Sequence, residues 1–203
     1  MKHVVPNKNI KGIGMSDSGW ANLFAEKFNY INTFYHMPPY LDIYNTRHVA
    51  MYNHLDFIIS SDVFEHISPY PGIQFAFDNL YMMLRPGGFI IFSVPFVADG
   101  EHKEHYPNLF NYEIKHSNNE YILYNTTKDG NKEEFNNLCF HGGPGDVLEM
   151  RIFSKKSLLF HLEQSGFVNI IFNEIDEDMN KYGIFWGEDN HNSVIITAQK
   201  PIH

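Results

Sequence analysis

Apolar positions in this chain fall into two kinds of segment. Continuous apolar runs at residues 55–60 (LDFIIS) and 89–94 (FIIFSV) have the character of parallel strands buried on both faces. Shorter runs at residues 9–14, 30–35, 168–172 and 194–199 predict further strands, the second of them stopped by Pro38 and Pro39. Helical spacing lies between these runs. Residues 19–28 (GWANLFAEKF) set Trp20, Leu23, Phe24 and Phe28 on one face. Residues 73–84 turn Phe77, Leu80, Tyr81 and Leu84 inward, and Pro86-Gly87-Gly88 marks the end of that helix. Residues 157–164 form a third helical stretch, with Gly166 just beyond it. Strands separated by helices imply right-handed crossovers. The expected architecture is therefore α/β, a doubly wound and mostly parallel sheet.

Residues 99–149 break this rhythm. They are polar and Asn-rich, with turn signals at Asp129-Gly130 and across residues 142–145 (GGPG). Residues 121–126 and 132–135 flank the first turn and predict a hairpin. The segment reads as a β-rich insertion into a single domain covering residues 1–203. Residues 173–192 are acidic and read as a long loop.

Composition narrows the function classes. A chain of 203 residues with 43% hydrophobic and 19% charged positions has enough apolar material for one folded core. A formal net charge of -9 argues against nucleic acid as a partner, because gripping the phosphate backbone requires a basic surface. Cys139 is the single cysteine, which rules out an intrachain disulfide and disfavours a thiolate zinc site. The start of the chain lacks a signal-peptide core, and no apolar run is long enough to span a bilayer. A cytoplasmic protein without a membrane partner is expected.

The block of residues 55–67 (LDFIISSDVFEHI), followed by a helix and residues 84–95 (LRPGGFIIFSVP), resembles the fourth strand, helix and fifth strand of class I S-adenosylmethionine-dependent methyltransferases. The terminal LLFHLEQSGFVNI resembles the last helix and strand of the same family. The stretches GIGMSDSGWANLFAEKF, NTFYH, LDI and FHGGPGDVLEMRIFS resemble the branch found beside glycosyltransferases in surface-polysaccharide systems. The resemblance implies the Rossmann-like methyltransferase fold, S-adenosylmethionine as cofactor, and a small or sugar acceptor. It assigns cofactor binding to Gly12, Gly14, Asp42, Ser61 and Asp62. The glycine turn departs from the family pattern: Met15, Ser16, Asp17 and Ser18 separate Gly14 from Gly19. No room remains for a helix between Tyr35 and Asp42, so the N-terminal half is shortened by a missing or collapsed crossover.

His66 follows a buried strand at its functional end, and its bland role is a hydrogen bond to a neighbouring loop. His105 and His141 sit in the insertion and, with His66, are the candidate bases for a hydroxyl acceptor. A metal set drawn from His102, His105 and His141 with Glu101, Glu104 or Glu149 is the sharper reading of the loop histidines. Solvated histidines are commoner, and no metal is assigned. Asp17 reads as a helix cap and Arg151 as a clamp to Glu149 or to a carboxylate of the insertion. The leading expectation is methyl transfer to a small acceptor. The alternatives are an inactive module of the same fold serving recognition or scaffolding, and a metal-dependent hydrolase. The insertion is expected to cover the carboxyl ends of the sheet, with a sheet-edge cover or a homodimer contact as its other readings.

Overall fold

The computed structural model describes residues 5–17, 19–44, 53–97, 100–118, 120–173 and 193–203. The elements in chain order begin with β1 (Lys11–Met15), α1 (Ala21–Lys27), β2 (Asn29–Thr33) and β3 (Leu55–Ser61). A 3-10 turn at Phe64–His66 leads to α2 (Ile73–Met83) and β4 (Leu84–Val97). The insertion carries β5 (Lys103–Glu104), β6 (Asn111–Ser117), β7 (Glu120–Thr126), β8 (Lys132–Phe135), β9 (Phe140–His141) and β10 (Val147–Leu148). The chain closes with β11 (Arg151–Ser154), α3 (Lys155–Ser165), β12 (Val168–Asn173) and β13 (Ser193–Gln199). The acidic stretch expected to loop lies, from residue 174 to 192, outside the described residues.

The main sheet runs β12-β13-β4-β3-β1-β2, with β11 beside the end of β4 and β5 beside β11. The pairs β2–β1, β1–β3 and β3–β4 are parallel, while β13 lies antiparallel to both β4 and β12. This is the expected mixed α/β sheet, mostly parallel at its centre. Its two faces bury different clusters. One face packs under α2 and α3, where Ile58, Phe64, Phe77, Leu80, Phe92, Leu158 and Leu162 are all at most 1% exposed. The other packs Phe28, Tyr30 and Phe57 under Phe24 of α1. Burying an aromatic or branched aliphatic side chain contributes about 1.5–3 kcal/mol, so these two layers supply most of the drive to fold.

Two sequence expectations need correcting. Trp20 and Leu23 do not face inward; they are 64% and 48% exposed. The helix there begins only at Ala21 and makes two turns, so Ala21 and Phe24 reach the sheet and Phe28 does so from beyond the helix end. The second helix ends slightly early. Expected over residues 73–84, it stops one residue earlier at Met83, and Leu84, buried as expected, is already extended and pairs with Leu55. The third helix keeps its signals: Ser154 and Ser157 cap each other reciprocally, and Gly166 closes the helix at φ 93°.

The α2–α3 contact contains a histidine whose charge the fold opposes. His161 donates from Nδ1 toward Gln74 Oε1 at 2.8 Å and stacks on Phe77. Burial, helped by the nearby His102 and Arg151, pushes its pKa down to about 4. A base depressed from about 6.5 stabilises the fold fully above pH 6.5 and loses that contribution as pH falls toward 4. Allowing for the solvent that still reaches the ring, the loss is about 1–2 kcal/mol. Urea melts of wild type and His161→Leu at pH 7.5 and 4.5 check this: the advantage of wild type shrinks or reverses at the lower pH.

Among the described residues, no helix is long and apolar enough to cross a membrane.

Candidate functional site

Parallel pairing sets Met15 opposite Thr33 on one side and Ser60 on the other, so β1, β2 and β3 end together at one edge of the sheet. Ligands of open α/β sheets bind beyond that edge. A cavity of about 580 Å³ opens there, a volume suited to a small organic ligand. The sheet side contributes Ser16, Asp42, Ser61, Asp62 and His66, and the insertion contributes Tyr112, Val147 and Leu148. The described lining residues include two carboxylates, Asp42 and Asp62, and no lysine or arginine.

Gly12 and Gly14 do not line this cavity. A Cβ at Gly12 would stand 2.2 Å from Phe57 Cζ, and one at Gly14 would stand 1.8 Å from the Tyr30 hydroxyl. Both glycines are required by the aromatic layer beneath α1. The turn after β1 is built from side chains instead. Ser16 takes a left-handed backbone at φ 56° and donates from N–H to Thr33 O at 2.8 Å. Asp17 is 8% exposed; its N–H donates to Asn32 Oδ1, its carbonyl accepts from Asn32 Nδ2, and its Oδ1 accepts from Trp20 N–H ahead of α1. Asp17 thus closes the turn ahead of α1 but is not the cap expected of it: the N-cap is Trp20, which makes no side-chain cap bond, and β2 holds the turn through Asn32.

Asp42 reaches the cavity because the chain doubles back tightly after β2. Phe34 N–H donates to Pro39 O and Leu41 N–H to Phe34 O, forming a parallel bridge between Phe34 and Tyr40. Asp42 Oδ1 accepts from Tyr44 N–H at 3.0 Å, which fixes the carboxylate in an Asx turn. On the other side, Asp62 closes β3 in a left-handed backbone at φ 48°. Its Oδ1 accepts from the Ser93 and Ser193 hydroxyls at 3.2 and 2.7 Å, and Ser61 Oγ lies 3.3 Å from Ser93 Oγ. Non-glycine residues at positive φ carry strain of about 1–3 kcal/mol and tend to gather at functional sites. Ser16 and Asp62 are two such residues facing one cavity.

Of the three candidate bases, His66 and His141 come together and His105 stands apart. His66 is on the cavity wall, where Nδ1 donates to Leu148 O at 2.9 Å and turns Nε2 toward Glu65. Glu65 Oε1 lies 3.6 Å from His66 Nε2 and 3.4 Å from His141 Nδ1. The Glu65 side chain is completely buried, and neither oxygen receives a hydrogen bond. Burial, followed by the negative charge of Asp62 and Glu149, pushes this carboxyl up to about 9. Burial lowers the His66 pKa, with the nearby His141 acting in the same direction.

His105 lies deeper, bonded through Nε2 to Glu149 Oε1 at 3.2 Å and close to Cys139 Sγ through Nδ1. Burial alone would raise the Glu149 carboxyl, but the hydrogen bond and charge of His105, with His141 and His66 nearby, hold it below the usual carboxylate range. His102 pairs with a third carboxylate, Glu104, at 3.0 Å. The set His102–His105–His141 therefore does not converge, since each ring has its own acid. Among the described residues, the group whose donor atoms do converge is Glu65, His66 and His141, all within 4.8 Å of one another.

Sequence reasoning expects Glu65 within the stretch of residues 60–66 that lines the site, with a helix start as its bland role, and it does not single out Tyr112, Val147 or Leu148. The signal available for Glu65 was its adjacency to His66 at the end of a buried strand. Nothing local announces that His141, one of the candidate bases, meets Glu65 and His66; the β9–β10 hairpin carries it in by pairing it with Val147.

No family model and no curated protein matches the sequence. Solved structures do match. The CurJ carbon methyltransferase superposes with a TM-score of 0.57 at 12% identity over 99% of this chain and 51% of its own. An S-adenosylmethionine-dependent methyltransferase from Mesorhizobium loti gives 0.55 at 11% identity over 95% of this chain and 91% of its own. The Burkholderia thailandensis 1,6-didemethyltoxoflavin-N1-methyltransferase, solved with S-adenosylhomocysteine bound, gives 0.54 at 12% identity over 94% of this chain and 71% of its own. The chain thus spans about half the length of the first of these and nearly all of the second. At these identities the likeness is one of architecture: the chain has the Rossmann-like fold of S-adenosylmethionine-dependent methyltransferases.

Proposed function

We propose that this protein transfers a methyl group from S-adenosylmethionine to a hydroxyl of a small acceptor, of the sugar class that the sequence resemblance implies, in a cytoplasmic step of polysaccharide assembly. The observation that carries this reading is the cavity itself. It opens beyond the carboxyl ends of β1, β2 and β3, takes a small organic ligand, and presents Asp42 and Asp62 with no described lysine or arginine. That lining suits a cationic, diol-bearing ligand and opposes a phosphorylated one. A sulfonium methyl donor brings its own activation, so the chain's task is to bind, orient and exclude water.

In this reading Asp42, held by Tyr44 N–H, accepts from the ribose hydroxyls, and Asp62 with Ser61 flanks the charged end of the donor. Gly12 and Gly14 contribute by allowing the aromatic layer that seats β1, not by touching the ligand. Tyr112, Val147 and Leu148 form the acceptor side. The groups placed to weaken the acceptor O–H are His66 and its neighbours Glu65 and His141, while His105 acts on them through Glu149.

Calorimetry with S-adenosylhomocysteine tests the proposal. Asp42→Asn keeps an oxygen for Tyr44 N–H but loses the charge, and lowers affinity by about 10-fold or more, the size of a lost charge-assisted hydrogen bond. Absence of heat at millimolar ligand with intact protein removes the reading. One observation favours a second reading, that of a binding module without turnover: the turn after β1 is closed by the Asp17–Asn32 bonds where a bare glycine backbone would otherwise approach the cofactor. Methylation of any acceptor decides against it.

A further inference from the structure

We propose that Glu65, His66 and His141 form a binding site for a divalent first-row transition-metal ion at the wall of the cavity. Three observations carry this. The donors already converge: Glu65 Oε1 is 3.6 Å from His66 Nε2 and 3.4 Å from His141 Nδ1, and all three ligand atoms fit within 4.8 Å. Ligand atoms bound at about 2.0–2.2 Å to one ion stand roughly 3–3.5 Å apart, so only a small adjustment closes the set.

The second observation is the state of Glu65. Its carboxyl is fully buried, has no hydrogen-bond partner at either oxygen, and lies 3.6 and 3.4 Å from the imidazoles of His66 and His141. A buried acid without a partner is costly, and folds retain one where something else completes it. A solvated or capping role does not account for a 0% exposed glutamate.

The third is the support behind His66. Its Nδ1 donates to Leu148 O at 2.9 Å, which fixes the ring and leaves Nε2 as the donor facing Glu65. A ligating histidine held through its other nitrogen by a backbone carbonyl is the usual outer-shell arrangement. The carbonyl belongs to β10, and β10 also carries His141 through its pairing with β9, so one short hairpin both orients the first imidazole and supplies the second. Two imidazoles and one carboxylate suit Mn, Fe, Co or Zn better than Mg or Ca, which prefer an all-oxygen shell.

His66 is part of the cavity wall, so an ion held there borders the space for the acceptor. Its role rests on the methyl-transfer reading: a divalent ion lowers the pKa of a hydroxyl bound to it and fixes that oxygen in place. The site itself does not depend on that reading.

The test uses chelator-stripped, full-length protein titrated with Mn²⁺ by electron paramagnetic resonance and with Co²⁺ by visible absorption. The expected result is one ion per chain with imidazole-type Co²⁺ bands. Glu65→Gln and His141→Ala should each weaken binding by at least about 10-fold, already the cost of losing an outer-shell partner. The His141 side chain is 43% exposed, so that variant keeps its fold even where Glu65→Gln does not. Absence of binding at 1 mM ion (roughly the weakest useful affinity) overturns the proposal. So does affinity unchanged in His141→Ala, or affinity lost in His105→Ala and Cys139→Ser with His141→Ala unaffected, which places the ion elsewhere. Calorimetry with S-adenosylhomocysteine on the same samples separates the two claims: ion binding without cofactor binding retains the site and removes the methyltransferase.

Discussion

Replacing Arg151 with leucine lowers the unfolding free energy by about 3–5 kcal/mol, the range for breaking a buried ion pair from one side. The Arg151 side chain is completely buried. Its Nε donates to Glu104 Oε1 at 2.6 Å and its Nη1 to Phe64 O at 2.8 Å. One guanidinium therefore ties β11 to β5 and to the 3-10 turn that carries Glu65 and His66. Burial alone would raise the Glu104 carboxyl, but hydrogen bonds from His102 and Arg151 outweigh it and hold it below its usual range. With the arginine gone, Glu104 keeps only His102, and its Oε2, which already lacks a partner, sits in a still drier place. Domains of this size hold about 5–15 kcal/mol in total, so the loss is a large fraction of the stability. The measurement is a urea melt, in which the midpoint falls while the slope stays constant. The double variant Glu104→Met/Arg151→Met recovers at least half the loss, because the two apolar chains fill the volume without stranding a charge. A midpoint shift in Arg151→Leu no larger than that of a surface substitution would show the clamp to be idle.

That clamp also shows where sequence reading succeeds and where it stops. Arg151 between Met150 and Ile152 is legible as a clamp, because a charge in an apolar run needs a partner, and an acid of the insertion was among the partners foreseen. Which acid was not legible: β5 is two residues long and meets β11 from 47 positions away. The central strands could be read because both of their faces are buried, which leaves continuous apolar runs. The β7–β8 hairpin could be read from Asp129-Gly130 between its strands. Its neighbour β6 could not, since all seven of its residues are exposed and it joins the sheet through the backbone ladder and surface contacts such as His116 on Tyr121. The same limit applies at the site. Asp42, Ser61, Asp62 and His66 lie within or just after recognisable strands, and they do meet at one cavity. The Glu65–His141 approach spans two separate parts of the chain and leaves no periodicity behind.

The glycines of the first strand are where residue type and role came apart, and Gly12→Ala makes the distinction measurable. An added Cβ would stand 2.2 Å from Phe57 Cζ and 2.5 Å from both Cε atoms. The Phe57 ring has nowhere to go: it is 1% exposed and lies between Tyr30 and Phe89, with ring centroids 5.9 and 6.0 Å away, and Phe28 meets it edge-on at 5.4 Å. Overpacking of this kind costs about 3 kcal/mol, at the upper end of the usual range. If the cost is steric, it belongs to the pair. In a Phe57→Leu background the same substitution costs at least about 1 kcal/mol less, a coupling that a double-mutant cycle reads directly. If Gly12 were instead needed for the backbone to approach a cofactor, the cycle would show no coupling to Phe57, and ligand affinity would collapse in protein that is still folded. The packing account predicts the reverse: reduced stability, with S-adenosylhomocysteine affinity within about two-fold of wild type wherever the fold survives, because two-fold is only about 0.4 kcal/mol. Gly14→Ala is the informative contrast. Its Cβ meets the Tyr30 hydroxyl, which lies 3.4 Å from Asp17 Oδ2, so it disturbs the turn beside the cavity as well as the aromatic layer. Affinity and stability should fall together at Gly14 and come apart at Gly12, which puts the boundary between scaffold and site within two residues of one strand.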